Sequence, residues 1–232
     1  MSNVSIVLIP SLLGSPRLYS EQLPALWQTD QVTVAAHQHD ESMTAIASRI
    51  LATAPSRFAL AGLSMGGYVA FEIMRQAPER ITHLALMDTS ARPDTPEQSQ
   101  RRRDQIALAK NGQFSDVVDQ LSQLWVGETH PNRAPLRQLI AQMASETGPD
   151  AFARQQQAII NRTDSRPGLA AITCPTLVLV GSDDELTPQA HAVEMSSGIP
   201  NSQLVVVPDC GHLSAIEQPQ AVTQALLQLL QH

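Results

Sequence analysis

The stretch AGLSMGG at residues 61–67 constrains the fold of this chain more than any other. A strand-like apolar run precedes it, and a helical pattern of small and apolar residues follows it. Gly62 and Gly66 flank Ser64 at positions where a Cβ would collide with a neighbouring strand or helix. Such a turn gives the serine strained backbone angles and lifts its hydroxyl above the sheet edge. The pattern predicts a nucleophile elbow, although a glycine-rich turn whose serine caps the helix would share it.

The composition limits the classes of protein to which the chain can belong. It has 232 residues and a formal net charge of −7, and this length suits one α/β domain with an inserted subdomain. The acidic balance argues against a nucleic-acid surface, which needs a concentrated basic face, and against an anionic membrane. We therefore expect a small-molecule substrate and neither nucleic acid nor membrane as a partner, while the oligomeric state stays open.

The N-terminus and the cysteines indicate where the protein resides in the cell and whether it binds a metal. Residues 1–5 have no basic region and run directly into a strand pattern, so we expect no signal peptide and a cytoplasmic protein. No apolar run approaches the roughly 18 residues that span a bilayer. Cys174 and Cys210 form no CxxC pair, and we assign Cys210 to loop packing. Neither a metal nor another cofactor is expected.

Strand-like and helical patterns alternate along most of the chain. Six apolar runs indicate strands, at residues 4–9, 31–36, 58–61, 81–87, 176–180 and 203–207. Helical patterns lie between them, namely a short one from Leu18 to Trp27 and longer ones at 41–53 and 188–197, among others. Continuous apolar strands separated by helices predict a mostly parallel sheet of about six strands with helices on both faces.

Residues 92–168 differ from the rest of the chain. They begin with a polar, proline-rich linker and continue with helical patterns, and no strand signal follows before Cys174. We interpret this segment as an all-helical insert that ends at Pro167-Gly168. It would divide an α/β core into a first part at 1–91 and a second part at 169–232.

Two polar loops follow the later strands and complete the pattern that Ser64 begins. In a parallel sheet, catalytic groups gather at the carboxyl ends of the strands. Asp183 and Asp184 follow the strand that ends at Val180, and His212 follows the last strand. The order along the chain is therefore serine, acid, histidine, with separations of 120 and 28 residues (184 − 64 and 212 − 184).

These stretches resemble the α/β-hydrolase superfamily, in particular its branch with a helical cap between two core strands. The matching sequences are GLSMGG at 62–67, PTLVLVGSDDELTP at 175–188 and GHLSAIEQP at 211–219. The resemblance implies a triad in which His212 takes the proton of Ser64 and Asp184 orients the imidazole. The family's G-x-x-D-x-x-x-P pattern places the acid on Asp184. Asp183 and Asp88, which ends another strand, remain alternatives.

The resemblance also implies two backbone donors for the oxyanion of a tetrahedral intermediate. One is the N–H of Met65, directly after the nucleophile. The other comes from the loop after the first strand, where relatives usually carry His-Gly and this chain has Pro10-Ser11 followed by Leu12. Because the donor is a backbone N–H, we expect Leu12 to supply it despite the different side chains.

A shorter similarity bears on the substrate. Residues 86–92 and 95–97 are similar to the matching region of 3-oxoadipate enol-lactonases. The resemblance therefore predicts a serine hydrolase that cleaves a small carboxylic ester or lactone through an acyl-enzyme intermediate, without a cofactor. Carbon–carbon bond hydrolysis, a lyase reaction or cofactor-free haloperoxidation on the same triad, and a ligand receptor with a retained triad, remain alternatives.

Other polar and aromatic side chains have simpler interpretations. The arginines at 101–103 point in different directions on a helix, which favours a solvated face over a carboxylate site. Trp125 and Met143 keep helical spacing, which favours packing within the insert. His37 and His39 have no third metal ligand in view, so metal binding by them is not expected.

Overall fold

Six parallel strands form the centre of the molecule. The structure is a computed structural model that describes residues 4–28, 31–128 and 130–231. Within them, the strands form one sheet in the order β2-β1-β3-β4-β5-β6, and every neighbouring pair is parallel. The strands are β1 (Ile6–Ile9), β2 (Val32–Val34), β3 (Phe58–Leu63), β4 (Ile81–Met87), β5 (Thr176–Gly181) and β6 (Ser202–Val207).

Helices connect the strands and cover both faces of the sheet. They are α1 (Leu23–Leu26), α2 (Met43–Thr53), α3 (Met65–Gln76), α4 (Pro96–Leu108), α5 (Phe114–Trp125), α6 (Arg133–Thr147), α7 (Pro149–Ile160), α8 (Gln189–Gly198), α9 (Ser214–Glu217) and α10 (Pro219–Leu229). Helix α2 packs against α3, and α10 packs against α1. None of the helices in the described parts of the chain combines the length and the apolar character that crossing a membrane requires.

The burial of the strands follows their place in the sheet. Every residue of β3 and β5, which lie between other strands, is buried. Strand β2 forms one edge and is only half-buried, and β6 at the other edge is partly exposed. Strands that are covered on both faces need apolar residues throughout, which explains the unbroken apolar runs of the sequence.

The parallel sheet brings the polar loops to one edge. Ser64 follows β3, Asp88 follows β4, residues 182–188 follow β5 and residues 208–213 follow β6. Because all the strands point the same way, these loops emerge at the carboxyl edge of the sheet. The loop after β1 emerges there as well.

The long segment between β4 and β5 contains helices α4 to α7 and no strand among its described residues. Helix α4 begins with a capping box, in which the Thr95 hydroxyl accepts from the Gln98 N–H and the Gln98 side chain accepts from the Thr95 N–H. Phe114 and Phe152 pack with their ring centroids 5.7 Å apart and join α5 to α7. The division into a core and a separate insert at 92–168 stays a prediction.

Small differences separate the expected elements from the observed ones. The helical pattern expected around Leu18 to Trp27 is a 3₁₀ turn at Pro16–Tyr19 followed by the single turn α1. Pro16 and Pro24 each lack a backbone N–H, so a continuous helix cannot form through this segment. Residues 1–3, which bear on the signal-peptide expectation, lie outside the described residues.

Candidate active site

Ser64 occupies the turn between β3 and α3. Its φ of 55° and ψ of −113° lie in a region that residues with a side chain rarely adopt. A Cβ on Gly62 would lie 2.2 Å from the carbonyl oxygen of Gly66, and a Cβ on Gly66 would lie 2.1 Å from that of Ile9. The two glycines are therefore required because backbone packs directly against backbone at this turn.

Ser64, His212 and Asp184 form one continuous chain of hydrogen bonds. The Oγ of Ser64 lies 2.8 Å from Nε2 of His212, and Nδ1 of His212 lies 2.9 Å from Oδ2 of Asp184. All three residues are buried, at 9, 4 and 4% exposure in that order. With Nδ1 protonated and bonded to the carboxylate, Nε2 is free to accept the serine proton. The arrangement can therefore move a proton from the hydroxyl to the imidazole.

The loop after β5 holds Asp184 through hydrogen bonds to both carboxylate oxygens. Oδ1 accepts from the backbone N–H groups of Leu186 and Thr187, each at 2.9 Å, and Oδ2 accepts from the Thr187 hydroxyl at 2.6 Å. Burial by itself raises the pKa of Asp184, but the charge of His212 and these hydrogen bonds outweigh it and lower the pKa to about 2. The carboxyl group therefore stays ionised beside the imidazole.

The pKa of His212 reflects two opposing effects. Burial lowers it, whereas the nearby carboxylates of Asp184, Asp88 and Glu217 raise it, and the net pKa lies above the ordinary histidine value. The imidazolium is thus stabilised at the moment when the ring holds a proton. This is the electrostatic environment that a general base in such a relay requires.

Neither alternative acid bonds to His212. Asp183 is exposed, and its carboxylate accepts from the hydroxyl of Ser182 at 3.0 Å. Asp88 is fully buried and accepts from the N–H of Gly181 at 3.1 Å and from the N–H of Ser214 at 3.0 Å. Burial and the charge of Asp184 raise the pKa of Asp88 to about 7. Asp88 thus links the two loops that carry Asp184 and His212, and only Asp184 of the three acids contacts the imidazole.

A further carboxylate, which the sequence interpretation missed, fixes the histidine loop. Glu217 accepts from the N–H groups of Gly211 and Leu213, both at 2.9 Å, so it holds the backbone on either side of His212. The N–H of His212 donates to the carbonyl oxygen of Trp125 at 2.9 Å. One feature of the sequence indicated this role: Glu217 lies in the largely apolar stretch LSAIEQP, and a carboxylate that is buried there needs hydrogen-bond donors.

The backbone N–H groups of Leu12 and Met65 are the predicted donors to an oxyanion. Met65 is the first residue of α3, so its N–H has no carbonyl partner within the helix. Leu12 lines the same cavity as Ser64, and its N–H donates no hydrogen bond to the part of the chain that the structure describes. The two loops touch, because a Cβ on Gly66 would also lie 2.9 Å from the carbonyl oxygen of Pro10.

Side chains from α6 and α7 hold the loop that carries Leu12. Leu13, whose φ is 59°, donates its N–H to Oε1 of Gln155 at 3.1 Å, and its carbonyl oxygen accepts from the Thr147 hydroxyl at 3.2 Å. His37 can donate from Nε2 to the carbonyl oxygen of Ser11, 2.9 Å away. Burial lowers the pKa of His37 to about 4, so its ring is neutral. The loop is thus fixed from two directions by side chains of α6 and α7 and by His37.

A cavity of about 200 Å³ opens above Ser64 and His212. This volume is below the roughly 300–1,000 Å³ typical of drug-sized ligands, so it suits a small molecule. Apolar side chains form part of its wall, namely those of Leu12, Leu121, Leu124, Trp125, Ile159 and Leu186. Trp125 therefore contributes to the cavity as well as to packing, whereas Met143 is buried among the helices.

We also searched for metal-binding groups and for a reactive thiol. Among residues 4–28, 31–128 and 130–231, no group of three or more His, Cys, Asp or Glu side chains is placed to bind a metal ion. The thiol of Cys210 is buried, and burial together with the charge of Asp88 raises its pKa. A raised pKa disfavours the thiolate, which is the nucleophilic form.

Residues 7–219 match the sequence profile of the alpha/beta hydrolase fold family. The chain belongs to this family. Solved structures of α/β-fold hydrolases superpose on it over nearly its whole length. A thermophilic esterase from Thermogutta terrifontis, in its malate-bound form, is 30% identical with a TM-score of 0.88, and the match covers 99% of this chain and 90% of that one.

Two other relatives of this α/β-fold hydrolase are similar over most of their length. The enol-lactonase from Burkholderia xenovorans is 25% identical with a TM-score of 0.88, covering 99% of this chain and 92% of that one. The pimeloyl-[acyl-carrier protein] methyl ester esterase of Nitrosomonas europaea is 28% identical over 189 residues, which span 78% of this chain and 73% of that one. The relatives thus include esterases and a lactonase.

One interpretation of the sequence differs from the structure of this α/β-fold hydrolase. Of the three arginines that were expected on a solvated face, Arg101 and Arg103 are exposed, whereas Arg102 is half-buried, and both Arg101 and Arg102 line the cavity. Asp94 accounts for the difference, because its buried carboxylate pairs with Arg102 at 2.7 Å and anchors the first turns of α4. A charge run on a helix does not show which of its members faces a cavity.

Proposed function

We propose that this α/β-fold hydrolase cleaves a small carboxylic ester or lactone through an acyl-enzyme intermediate formed on Ser64. One observation carries the proposal, namely the buried relay of Ser64, His212 and Asp184 with contacts of 2.8 and 2.9 Å at the base of the cavity. Serine is a weak nucleophile until a base accepts its proton, and this geometry supplies the base.

The reaction would proceed in two balanced steps. His212 takes the proton of Ser64 while Oγ attacks the substrate carbonyl carbon, and the resulting imidazolium then protonates the leaving alkoxide as the carbon–oxygen bond breaks. A water molecule next gives a proton to His212 and attacks the acyl carbon. The acid is then released and Ser64 recovers its proton.

Two sets of fixed groups would stabilise the transition states. The backbone N–H groups of Leu12 and Met65 would donate to the oxyanion, and the N-terminus of α3 adds a favourable dipole there. Asp184 would hold the imidazole in the productive tautomer and stabilise its cation. Losing one oxyanion donor typically costs about 2.7–4 kcal/mol of activation free energy.

The choice of ester or lactone is supported by the size of the cavity and by similarity. The cavity of about 200 Å³ suits a small acyl group. The similar proteins include an esterase and an enol-lactonase. Carbon–carbon bond hydrolysis would use the same relay with a carbon leaving group, so the substrate panel must include a vinylogous 1,5-diketone.

The test is a pre-steady-state assay on short methyl esters and enol-lactones. With the methyl esters we expect a burst of methanol equal to the enzyme concentration where deacylation is slow, and with either class of substrate hydroxylamine should trap the acyl group as a hydroxamate. The Ser64→Ala variant should lose both signals while its circular dichroism is unchanged. Turnover of the diketone with no ester cleavage would move the proposal to carbon–carbon hydrolysis. Saturable ligand binding with no turnover of any substrate would favour a receptor.

A further inference from the structure

The wall of the cavity carries more positive than negative charge. Four arginines line it together with Asp94, and Arg92 is already paired with Glu194 at 2.8 Å. Asp94 is shared between Arg102 at 2.7 Å and Arg162 at 2.6 Å. Within the described residues, no carboxylate lies within 4.0 Å of the Arg101 guanidinium, so that cation is not neutralised by the protein.

The ion-pair network of Arg102, Asp94 and Arg162 is largely removed from solvent. The side chains of Asp94 and Arg162 are only 1 and 7% exposed. Arg162 lies over the ring of Tyr68, with 4.3 Å from its central carbon to the ring centroid. Arg102 donates to Oε1 of the fully buried Gln156 at 2.7 Å. Because one carboxylate faces two guanidinium groups, this network keeps a net positive charge at low solvent exposure.

A buried net charge is costly unless a counter-charge compensates it. Arg101 lies one residue from Arg102 on α4, at the exposed side of the same cavity. An anionic group bound there would gain a bidentate hydrogen bond from a free guanidinium and the field of the Arg102–Asp94–Arg162 network. Leu121, Leu124 and Ile159 line the same cavity and can contact a short hydrocarbon chain.

We propose that Arg101, together with the neighbouring network of Arg102, Asp94 and Arg162, forms a carboxylate-binding subsite, which we call the arginine wall. The preferred substrates are then esters or lactones whose acyl chain ends in a second carboxylate. This inference rests on the proposed function for its catalytic consequence, whereas the binding of a carboxylate to the arginine wall does not depend on turnover.

The test compares monomethyl adipate with dimethyl adipate, which have the same chain and differ in the terminal charge. We expect wild type to prefer the monoester in kcat/KM. Arg101→Met should lower kcat/KM for the monoester by about 10- to 100-fold, the range for loss of a charged hydrogen bond, and lower that for the diester by a clearly smaller factor. Higher ionic strength should reduce the preference, because screening weakens exposed charge pairs.

Arg103→Met is the matched control, because Arg103 is exposed on the same helix and contacts Gln100 rather than the cavity. It should leave the ratio of the two substrates unchanged. Equal effects of Arg101→Met and Arg103→Met would overturn the inference. A phosphonate-terminated methyl ester tests the anion class, and a tenfold preference for it over the carboxylate would also overturn the assignment.

A second readout separates this inference from the proposed function. Calorimetry on the Ser64→Ala protein should show binding of adipate that weakens about tenfold on adding Arg101→Met. If wild type cleaves no ester yet this binding is present and depends on Arg101, the proposed function fails and the arginine wall stands. If wild type cleaves both esters equally and adipate does not bind, the hydrolase proposal stands and the arginine wall is refuted.

Discussion

The two sides of the cavity are built differently. On the side of the sheet, the relay and its supports are buried, and backbone N–H groups or close backbone contacts hold each member. On the side of the helices, the wall consists of long side chains from α4 and α5, and Arg101 and Leu124 among them are exposed. A side chain held by the backbone tolerates little change, whereas a wall of exposed side chains can change without disturbing the fold. If the proposed function holds, we expect the sheet side to set the reaction and the helix side to set the choice of substrate.

The largest loss of activity is expected when the acid of the relay, Asp184, is replaced. Asp184→Asn should lower kcat about 10⁴-fold, because the amide no longer holds the imidazole in the productive tautomer. Asp183→Asn is the matched control, since Asp183 is the exposed neighbour, and it should stay within about twofold. Steady-state kinetics on the best ester of the panel measures both. Equal losses from the two substitutions would mean that the sheet side is not organised around Asp184.

Crowding the backbone contact behind the elbow should damage fold and activity together. In Gly66→Ala the new Cβ would meet the carbonyl oxygen of Ile9 at 2.1 Å, and backbone cannot move aside cheaply. We expect a loss of about 3–5 kcal/mol in the free energy of unfolding, the range of severe packing defects. Gly168→Ala, where nothing lies within 4 Å, should be neutral by comparison. Urea unfolding followed by circular dichroism distinguishes them, and equal stability would contradict the packing argument.

Helix α7 lies on the helix side of the cavity but contacts the loop on the sheet side that carries Leu12. Gln155→Leu removes the acceptor for the N–H of Leu13 and frees the loop that carries Leu12. We expect kcat to fall about 10- to 100-fold, less than the full loss of an oxyanion donor, with KM nearly unchanged. Gln157→Leu on the same helix serves as the control. A change confined to KM would place Gln155 in substrate binding instead of loop positioning.

Asp88 should matter for stability more than for rate. Asp88→Asn keeps one acceptor and loses the other, so either the N–H of Gly181 or that of Ser214 is left without a partner. An unsatisfied buried donor costs about 1–3 kcal/mol, and we expect that loss in the free energy of unfolding. The fall in kcat should be less than about tenfold. A loss as large as that of Asp184→Asn would show that Asp88 acts on the imidazole.

The smallest expected effect is a shift in the pH dependence of kcat/KM. His212 must be neutral to accept the serine proton, so kcat/KM should fall as pH drops through its pKa. Because neighbouring carboxylates raise the pKa of His212, the acid limb should lie above the ordinary histidine value of about 6.5. Glu217→Gln removes one of those charges and should move the limb to lower pH. A pH–rate profile of kcat/KM checks both, and a limb below pH 6 would contradict the electrostatic account.

The features that could be predicted from sequence are those that short stretches encode. The parallel sheet was predicted from the alternation of apolar runs and helices, and the α/β-hydrolase family from the resemblance of three stretches, at 62–67, 175–188 and 211–219; both predictions are confirmed. The roles of Ser64, His212 and Asp184 followed from their places after strands, and they stay a proposal supported by geometry. Glu217 accepts hydrogen bonds from backbone N–H groups that only the folded loop brings close to it, so no local sequence pattern predicts these contacts.

Residues on the helix side were harder to predict for a physical reason. Whether Arg101 faces the cavity depends on the rotation of α4, which the buried pairing of Asp94 with Arg102 and Arg162 fixes across 68 residues of chain. Gln155 reaches Leu13 across 142 residues. Helical periodicity describes one helix at a time and contains no information about such contacts.

Labelling with a fluorophosphonate, followed by intact-mass measurement and peptide mapping, tests directly whether Ser64 is the nucleophile. A serine activated by His212 should react once per chain, with the added mass on the peptide that contains Ser64. The Ser64→Ala and His212→Gln variants should remain unlabelled at the same protein concentration. Folded wild type that stays unmodified, or that carries the label on another residue, would contradict the claim that Ser64 is the nucleophile.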